Sequence, residues 1–366
     1  MYYQCTYCYK IIHKPLEPIW LCECGKPLSV HYDWEGISRD IEVDSKDESL
    51  WRYASILPSK STKEKISLGE GWTPLLHIED HVYIKNETAN PTGSFKDRGM
   101  AIAVTMAKAQ NVKKICLPSA GNAGISAAAY CQEAGIDCFV FLPETIPEPF
   151  KHETECYNSK LILSGQTISE AAQAMNNQKE EDWFDISTLK EPFRVEGKKT
   201  LGYEIADQLN WSLPDVIIYP TGGGTGLIGM WKAFKEMLGM GWISGPLPRM
   251  VAAQSDGCAP VVKAFQTQKE ATSFWHKSDT IALGLNVPGP LGGYWILKIL
   301  SESNGIAVTA KEASLRIKTE DFREKTGIDA SSEIGVVWSA YEELLKMTWI
   351  TPGEKVVLFA TGIERR

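Results

Sequence analysis

The chain has 366 residues, more than one hydrophobic core usually supports, so two domains with a small appendage are expected. Hydrophobic residues make up 43% and charged residues 23%, the balance of a soluble globular protein, and a formal charge of −8 argues against general attraction to nucleic acid or anionic membrane. Residues 1–10 hold no apolar core of a signal peptide, no run of about 18 apolar residues suggests a membrane span, and nine scattered cysteines favour reduced thiols in the cytoplasm.

Four of the nine cysteines fall in the first 35 residues: Cys5 and Cys8 form C-x2-C, and after thirteen intervening residues Cys22 and Cys24 form C-x-C. Paired cysteines in short knuckles suggest a zinc ribbon, but the second knuckle is one residue short, which strains a tetrahedral site of four thiolates. A structural zinc and a metal-free remnant both stay open, and either makes this segment a structural appendage. The acidic stretch from Ser38 to Glu48 reads as a linker.

From Gly69 the pattern alternates strand, turn and helix. Met100 to Ala109 is a strong helix former. Lys113 to Pro118 is a strand ending in a Ser-Ala-Gly-Asn turn, and the Ala-rich helix Ile125 to Glu133 follows. Strands are expected at Cys138–Leu142 and Leu161–Leu163, with a helix over Ile168–Gln178. Val216 to Tyr219 is a strand entering a glycine cluster, and Leu227 to Leu238 has helical spacing. Met250–Gln254 and Lys355–Ala360 complete the strands. Such alternation implies crossover units, an α/β fold with parallel sheets, and ligands bound beyond the carboxyl ends of the strands.

Three turns carry the chemistry. Gly222-Gly223-Gly224-Thr225-Gly226 lies between a strand and a helix, where backbone N–H groups can cradle a phosphate and Thr225 adds a hydroxyl; a plain tight turn is the simpler alternative. Gly224, Gly226 and Gly229 also fit G-x-G-x-x-G, but the next strand ends in Gln254 and Ser255 rather than an acid, which favours a mononucleotide-sized phosphate ester over a dinucleotide. Lys96, in NPTGSFKDRG (90–99), stands at a helix entrance where the helix dipole and Arg98 disfavour its ammonium form, suiting it to imine chemistry. In SAGNAG (119–124), Asn122 offers a donor and an acceptor, unless the turn is simply a helix cap.

Together, EGWTPL (70–75), NPTGSFKDRG, SAGNAG and GGGTG (222–226) resemble, in order and spacing, the fold-type-II pyridoxal-phosphate enzymes. EPFRVEGKKTLGYEIADQL (191–209), DVIIYPTGGGTGLIGMWKAF (215–234) and the cysteine-bearing N-terminus look most like the threonine synthase branch. The resemblance implies two parallel-sheet domains of the tryptophan synthase β-like kind with a short cysteine-bearing extension. The expected boundaries are residues 1–50 for the extension and linker, 51–98 with 181–366 for the large cofactor-binding domain, and 99–180 for the small α/β domain. Pyridoxal 5'-phosphate is the cofactor it implies, with a homodimer as the assembly.

Carried over, Lys96 becomes the Schiff-base lysine and proton shuttle, Phe95 lies beside the ring, and Asn122 bonds the 3-hydroxyl. Gly222, Gly223, Gly224, Thr225 and Gly226 bind the cofactor phosphate, and Thr361 faces the pyridine nitrogen. Thr92, Ser94, Ser119 and Ala120 are expected around the substrate carboxylate. Arg194 and Thr188 are the candidates for a substrate phosphate, with Lys190 as a compensating cation. An ion pair of Arg194 with Glu191 or Glu196 is the structural alternative. The implied reaction converts O-phosphohomoserine and water to threonine and phosphate. A threonine/serine dehydratase-like or other β-eliminating enzyme would share the cofactor residues but need no second phosphate site, and an inactive cofactor-binding paralogue would bind without turnover. Where family members continue past Thr-Gly with a glycine-containing, Lys-ending tail, this chain has Ile363-Glu364-Arg365-Arg366.

Overall fold

The structure is a computed structural model that describes residues 1–13, 17–61 and 64–365; Arg366 of the tail noted above lies outside them. The chain opens with strands β1 (Tyr2–Cys5), β2 (Ile11–Ile12) and β3 (Leu28–His31), then a short helix α1 (Arg39–Glu42) inside the stretch expected as a linker. Strands β4 (Leu75–Glu79) and β5 (Val82–Asn86) precede helix α2 (Lys96–Ala109). Next come β6 (Lys114–Pro118), α3 (Asn122–Ala134), β7 (Asp137–Leu142), α4 (Glu148–Glu155), β8 (Lys160–Leu163), α5 (Ile168–Gln178), β9 (Trp183–Asp185) and α6 (Phe193–Gln208). The remainder runs β10 (Val216–Pro220), α7 (Thr225–Gly239), β11 (Arg249–Ser255), α8 (Pro260–Gln266), α9 (Gly293–Glu302), β12 (Ile306–Ala310), α10 (Leu315–Thr326), α11 (Glu333–Lys346) and β13 (Val356–Ala360). No helix among the described residues is long and apolar enough to cross a membrane.

Two compact units emerge. The first comprises Met1–Trp72, Asn90–Thr200 and Arg365; the second comprises Thr73–Ala89 and Leu201–Glu364, the division falling inside α6. These limits differ from the expected boundaries in three respects. Residues 1–50 are not a separate extension, because Tyr3, Cys5 and Val30 share a core with Met100 and Val104 of α2. Lys96 belongs to the unit with the smaller sheet. That sheet continues past residue 180, because β9 pairs in parallel with β6.

The first unit holds the four-stranded parallel sheet β8-β7-β6-β9 and the three-stranded antiparallel sheet β2-β1-β3. In β7, Cys138, Val140 and Leu142 face the main core, while Phe139 and Phe141 face a second cluster with Met175 of α5. Burial on both faces is why the strand reads as an unbroken apolar run. Helix α5 starts at a capping box in which Thr167 and Glu170 satisfy each other's backbone N–H groups.

The second unit holds the six-stranded sheet β12-β11-β10-β13-β5-β4, in which only β4 runs antiparallel to its neighbour. Every residue of β10 and β13 is buried, as expected for central strands covered on both faces. These two strands are parallel neighbours, so the segments after Pro220 and Ala360 leave the same edge of the sheet.

Candidate active site

Lys96 is the first residue of α2, and the first turn is fixed by Asp97 rather than by a side-chain cap on Phe95. The buried Asp97 carboxyl accepts from the Thr92 N–H (2.7 Å), the Thr92 hydroxyl (2.5 Å) and the Ser126 hydroxyl (2.6 Å). Both Thr92 donors are therefore engaged, which leaves it none for a substrate carboxylate and corrects that expectation. Burial pushes the Asp97 pKa above its ordinary value, against those hydrogen bonds. Ser94 is buried, and its hydroxyl accepts from the Lys96 N–H at 3.4 Å. The Lys96 ammonium sits 4.2 Å from the centre of the Phe95 ring. Lys198 of α6 stands 3.9 Å from that ring and donates to the Phe95 carbonyl at 2.9 Å. Sequence reasoning missed Lys198, since nothing local ties it to a turn about 100 residues earlier.

The turn after β6 is held from within. Ser119 Oγ accepts from the N–H groups of Gly121 (3.1 Å) and Gly124 (2.9 Å), so its hydroxyl serves the turn rather than a ligand. Gly121 has φ +131°, and a Cβ there would meet the Phe150 ring at 2.7 Å. Ala120 and Asn122 are half-buried on this turn, and Asn122 opens α3. Arg365 joins the two loops: its guanidinium bonds Asn122 Oδ1 and the Thr92 carbonyl.

Arg194 is buried at the start of α6, with Nη1 donating to the Ile186 carbonyl at 2.8 Å. Among the described residues it forms no ion pair within 4.0 Å with either carboxylate expected to hold it. Glu191 accepts instead from the backbone N–H groups of Phe193 and Arg194 (2.6 and 3.0 Å), and Glu196 pairs with Lys199 at 3.0 Å. The Arg194 Nε is buried without a hydrogen-bond partner. Burial lowers the Arg194 pKa, with Glu191 opposing. Thr188 is exposed, and Lys190 is tied to Asp185 at 2.7 Å.

In the second unit, Gly222 to Gly226 lead from β10 into α7, whose start has no side-chain cap. Among the described residues, the N–H groups from Gly222 to Gly226 meet no protein acceptor. Gly224 has φ +76°, and a Cβ on Gly226 would overlap the Tyr219 ring and hydroxyl. A Cβ on Gly222 would lie 2.7 Å from the Gly284 carbonyl. This is a turn with free donors and no room for side chains, the geometry that suits a phosphate at a helix N-terminus. Thr225 is buried on the first turn, and Thr361 is buried directly after β13. Gln254, where a dinucleotide site would place an acid, donates to the Thr221 carbonyl (2.8 Å) and accepts from the Val261 N–H (2.9 Å) at the start of α8. The Lys96 and Asn122 turns belong to the first unit, and the glycine turn and Thr361 to the second.

Apart from these, the Sγ atoms of Cys5, Cys8, Cys22 and Cys24 all lie within 4.8 Å of one another. The short knuckle closes because Gly25, at φ +75°, lets the 22–26 segment turn back, with Cys22 N–H bonding the Lys26 carbonyl at 2.9 Å. The N–H groups of Tyr7 and Cys8 point at Cys5 Sγ (3.5 and 3.4 Å).

Similarity to known proteins runs along most of the chain. Threonine synthase of Methanocaldococcus jannaschii is 33% identical over 358 residues, covering 94% of this chain and 88% of that one. Threonine synthase of Halalkalibacterium halodurans is 29% identical over 86% of this chain and 89% of its own. Among solved structures, maize serine racemase superposes with a TM-score of 0.70 at 18% identity, over 80% of this chain and 88% of that one, a likeness of fold. The profile of the family described as pyridoxal-phosphate dependent enzyme matches residues 66–362, a span that takes in the Lys96 turn, the Asn122 turn, the glycine cradle and Thr361. The chain belongs to the pyridoxal-phosphate-dependent enzyme family.

Proposed function

We propose that the chain is a threonine synthase, a lyase that converts O-phosphohomoserine and water to threonine and phosphate. The observation that carries this beyond the cofactor is Arg194, a buried guanidinium with an unmatched Nε, a group that a second phosphate would satisfy. A dehydratase acting on threonine or serine has no use for such a group.

When bound, the cofactor supplies an electron sink for carbanionic character at the substrate carbons. The chain's own residues do the rest. Lys96 Nζ would anchor the cofactor and would carry protons at the substrate α- and β-carbons. The Gly222–Gly226 N–H groups and the Thr225 hydroxyl hold the cofactor phosphate. The Asn122 amide nitrogen donates to the ring 3-oxygen. The Thr361 hydroxyl would serve the ring nitrogen, a weaker proton source than a carboxylate. The backbone N–H groups of Ala120, Asn122 and Ala123 would hold the substrate carboxylate, replacing the Thr92 and Ser119 hydroxyls in that task. Arg194 receives the phosphate that leaves the γ-carbon. The reading carries with it a homodimer working in the cytoplasm, consistent with the acidic balance and abundant free thiols.

The four cysteines we assign to a structural zinc. A tetrahedron with zinc–sulfur bonds of about 2.3 Å has edges of about 3.8 Å. The sulfur separations of 3.5 Å for Cys5–Cys24 and 3.7 Å for both Cys8–Cys22 and Cys8–Cys24 come close to that edge and are far from a disulfide bond.

The decisive assay supplies O-phosphohomoserine, threonine and serine in turn. Phosphate release from the first, with loss in Lys96→Ala and a raised KM in Arg194→Lys, is expected. Ammonia release from threonine or serine without phosphate release would move the enzyme to the dehydratases.

A further inference from the structure

The guanidinium of Arg365 is nearly sealed from solvent, with its side chain 2% exposed. Its Nη1 donates to Asn122 Oδ1 at 2.7 Å and its Nη2 to the Thr92 carbonyl at 2.6 Å. Glu153 of α4 holds the other side, accepting from Nε at 3.0 Å and facing Nη2 at 3.0 Å. The Phe150 ring centre lies 5.5 Å from the guanidinium carbon. All these partners are in the first unit.

A guanidinium has donors only, so the Asn122 atom facing it must be the carbonyl oxygen. This removes the two-fold ambiguity of an amide side chain. The amide nitrogen is left facing away, and among the described residues its two hydrogens meet no protein acceptor. Were the amide free to turn over, its oxygen would confront an anionic ligand atom about half of the time. The fork also ties Asn122 to Thr92, four residues before Lys96, so one cation links the Asn122 turn to the Lys96 turn. The Glu153 carboxylate, against Nε and Nη2, holds the planar fork in place.

We propose that Arg365 is a positioning residue for the cofactor, fixing Asn122 with its amide nitrogen as the donor presented to the ring 3-oxygen. The inference rests on the assignment of Asn122 in the proposed function. Arg365 need not touch the cofactor or the substrate.

The test uses the full chain as wild type, Arg365→Ala, Arg365→Lys, Asn122→Ala and the double variant Arg365→Ala, Asn122→Ala. Three quantities are measured: the affinity of cofactor-free protein for pyridoxal phosphate, the pH midpoint of the visible band of the loaded protein, and Tm. Arg365→Ala should bind the cofactor about tenfold more weakly, as expected for loss of a hydrogen bond to a charged partner, and should shift the pH midpoint. Arg365→Lys keeps the charge but cannot serve Asn122 and Thr92 together, so it should recover only part of the affinity. In the Asn122→Ala background, removing Arg365 should change the affinity much less than it does alone. Unchanged affinity and midpoint in Arg365→Ala, whatever happens to Tm, would overturn the proposal and leave Arg365 a purely structural tie. If that variant does not fold, Arg365→Lys carries the same readouts. A wild type with a Lys96-dependent yellow band keeps the cofactor reading intact, so failure of the variants then falls on Arg365 alone.

Discussion

The hydroxyl of Tyr130 donates to Glu70 Oε2 across 2.7 Å inside the first unit, while Trp51 Nε1 donates to the other oxygen of the same carboxyl at 2.9 Å. Burial nonetheless raises the Glu70 pKa from 4.5 to about 7, against the opposing hydrogen bonds from Tyr130 and the Leu68 N–H. Glu191, also buried, is raised to about 7 in the face of Arg194. Between these limits the folded chain keeps protons that the unfolded chain has released, so stability falls as pH rises through the window. Glu70→Gln removes one such group. The drop in Tm from about pH 5 to about pH 8 should be smaller in the variant than in wild type, and parallel curves would refute this account.

Lys85 and Glu204 form a fully buried ion pair at 2.8 Å, and Lys85 also bonds the Thr73 carbonyl (2.7 Å) and Gln208 (2.9 Å). Lys85→Met strands the carboxylate without its cation and should cost about 3–5 kcal/mol. The double variant Lys85→Met, Glu204→Leu should recover much of that loss. Denaturant titrations read both; a single variant as stable as wild type would show that the pair contributes nothing.

Gly226 has Tyr219 where a Cβ would go. Gly226→Ala must displace that ring or shift the helix start, so affinity for the cofactor phosphate should fall at least tenfold. Gly239→Ala, on the same helix with open space around it, is the control and should bind normally. Equal affinities would refute a phosphate cradle at this turn.

Removing the zinc we assign to the cysteine cluster should be felt beyond the knuckles. Tyr3 of β1 stacks edge-on against Phe193 with ring centres 6.1 Å apart, and Tyr32 donates to Glu196 at 2.6 Å. Metal analysis of protein purified without added zinc should find about one zinc per chain, and chelation should lower Tm by several degrees. Cys8→Ser together with Cys24→Ser should abolish the zinc. Protein that binds no metal and melts the same with chelator would leave the cluster as four thiols.

Much of the frame was legible because local chemistry wrote it. Helix α5 spans the expected Ile168–Gln178, bounded by its capping box, and the central strands coincide with their apolar runs to within a residue or two. Helix α6 was not read as a helix, because Glu196, Lys198, Lys199 and Glu204 are charged and yet buried, so no apolar stripe marks it. Those charges are satisfied by partners such as Tyr32, Phe95 and Lys85, far away in sequence. Tyr3, Cys5 and Val30 likewise share a core with α2, which local spacing could not reveal. The site followed the same rule. Its turns were visible as Gly, Ser and Asn clusters, and Asp97 engages Thr92 from only five residues on, while the engagement of Asn122 by Arg365 depends on tertiary contact alone.

Strand β5 lies between β4 and β13, with Val82 opposite Val356. During synthesis the β4–β5 hairpin emerges about 270 residues ahead of the strand that will cover its inner edge, and a two-stranded hairpin is marginal in water. Ile84 and Val82 must therefore wait, unpaired on one side, until nearly the whole chain has been made. Closure of the second sheet is a late, long-range event, and nascent chains should need protection of that edge before they can hold the cofactor.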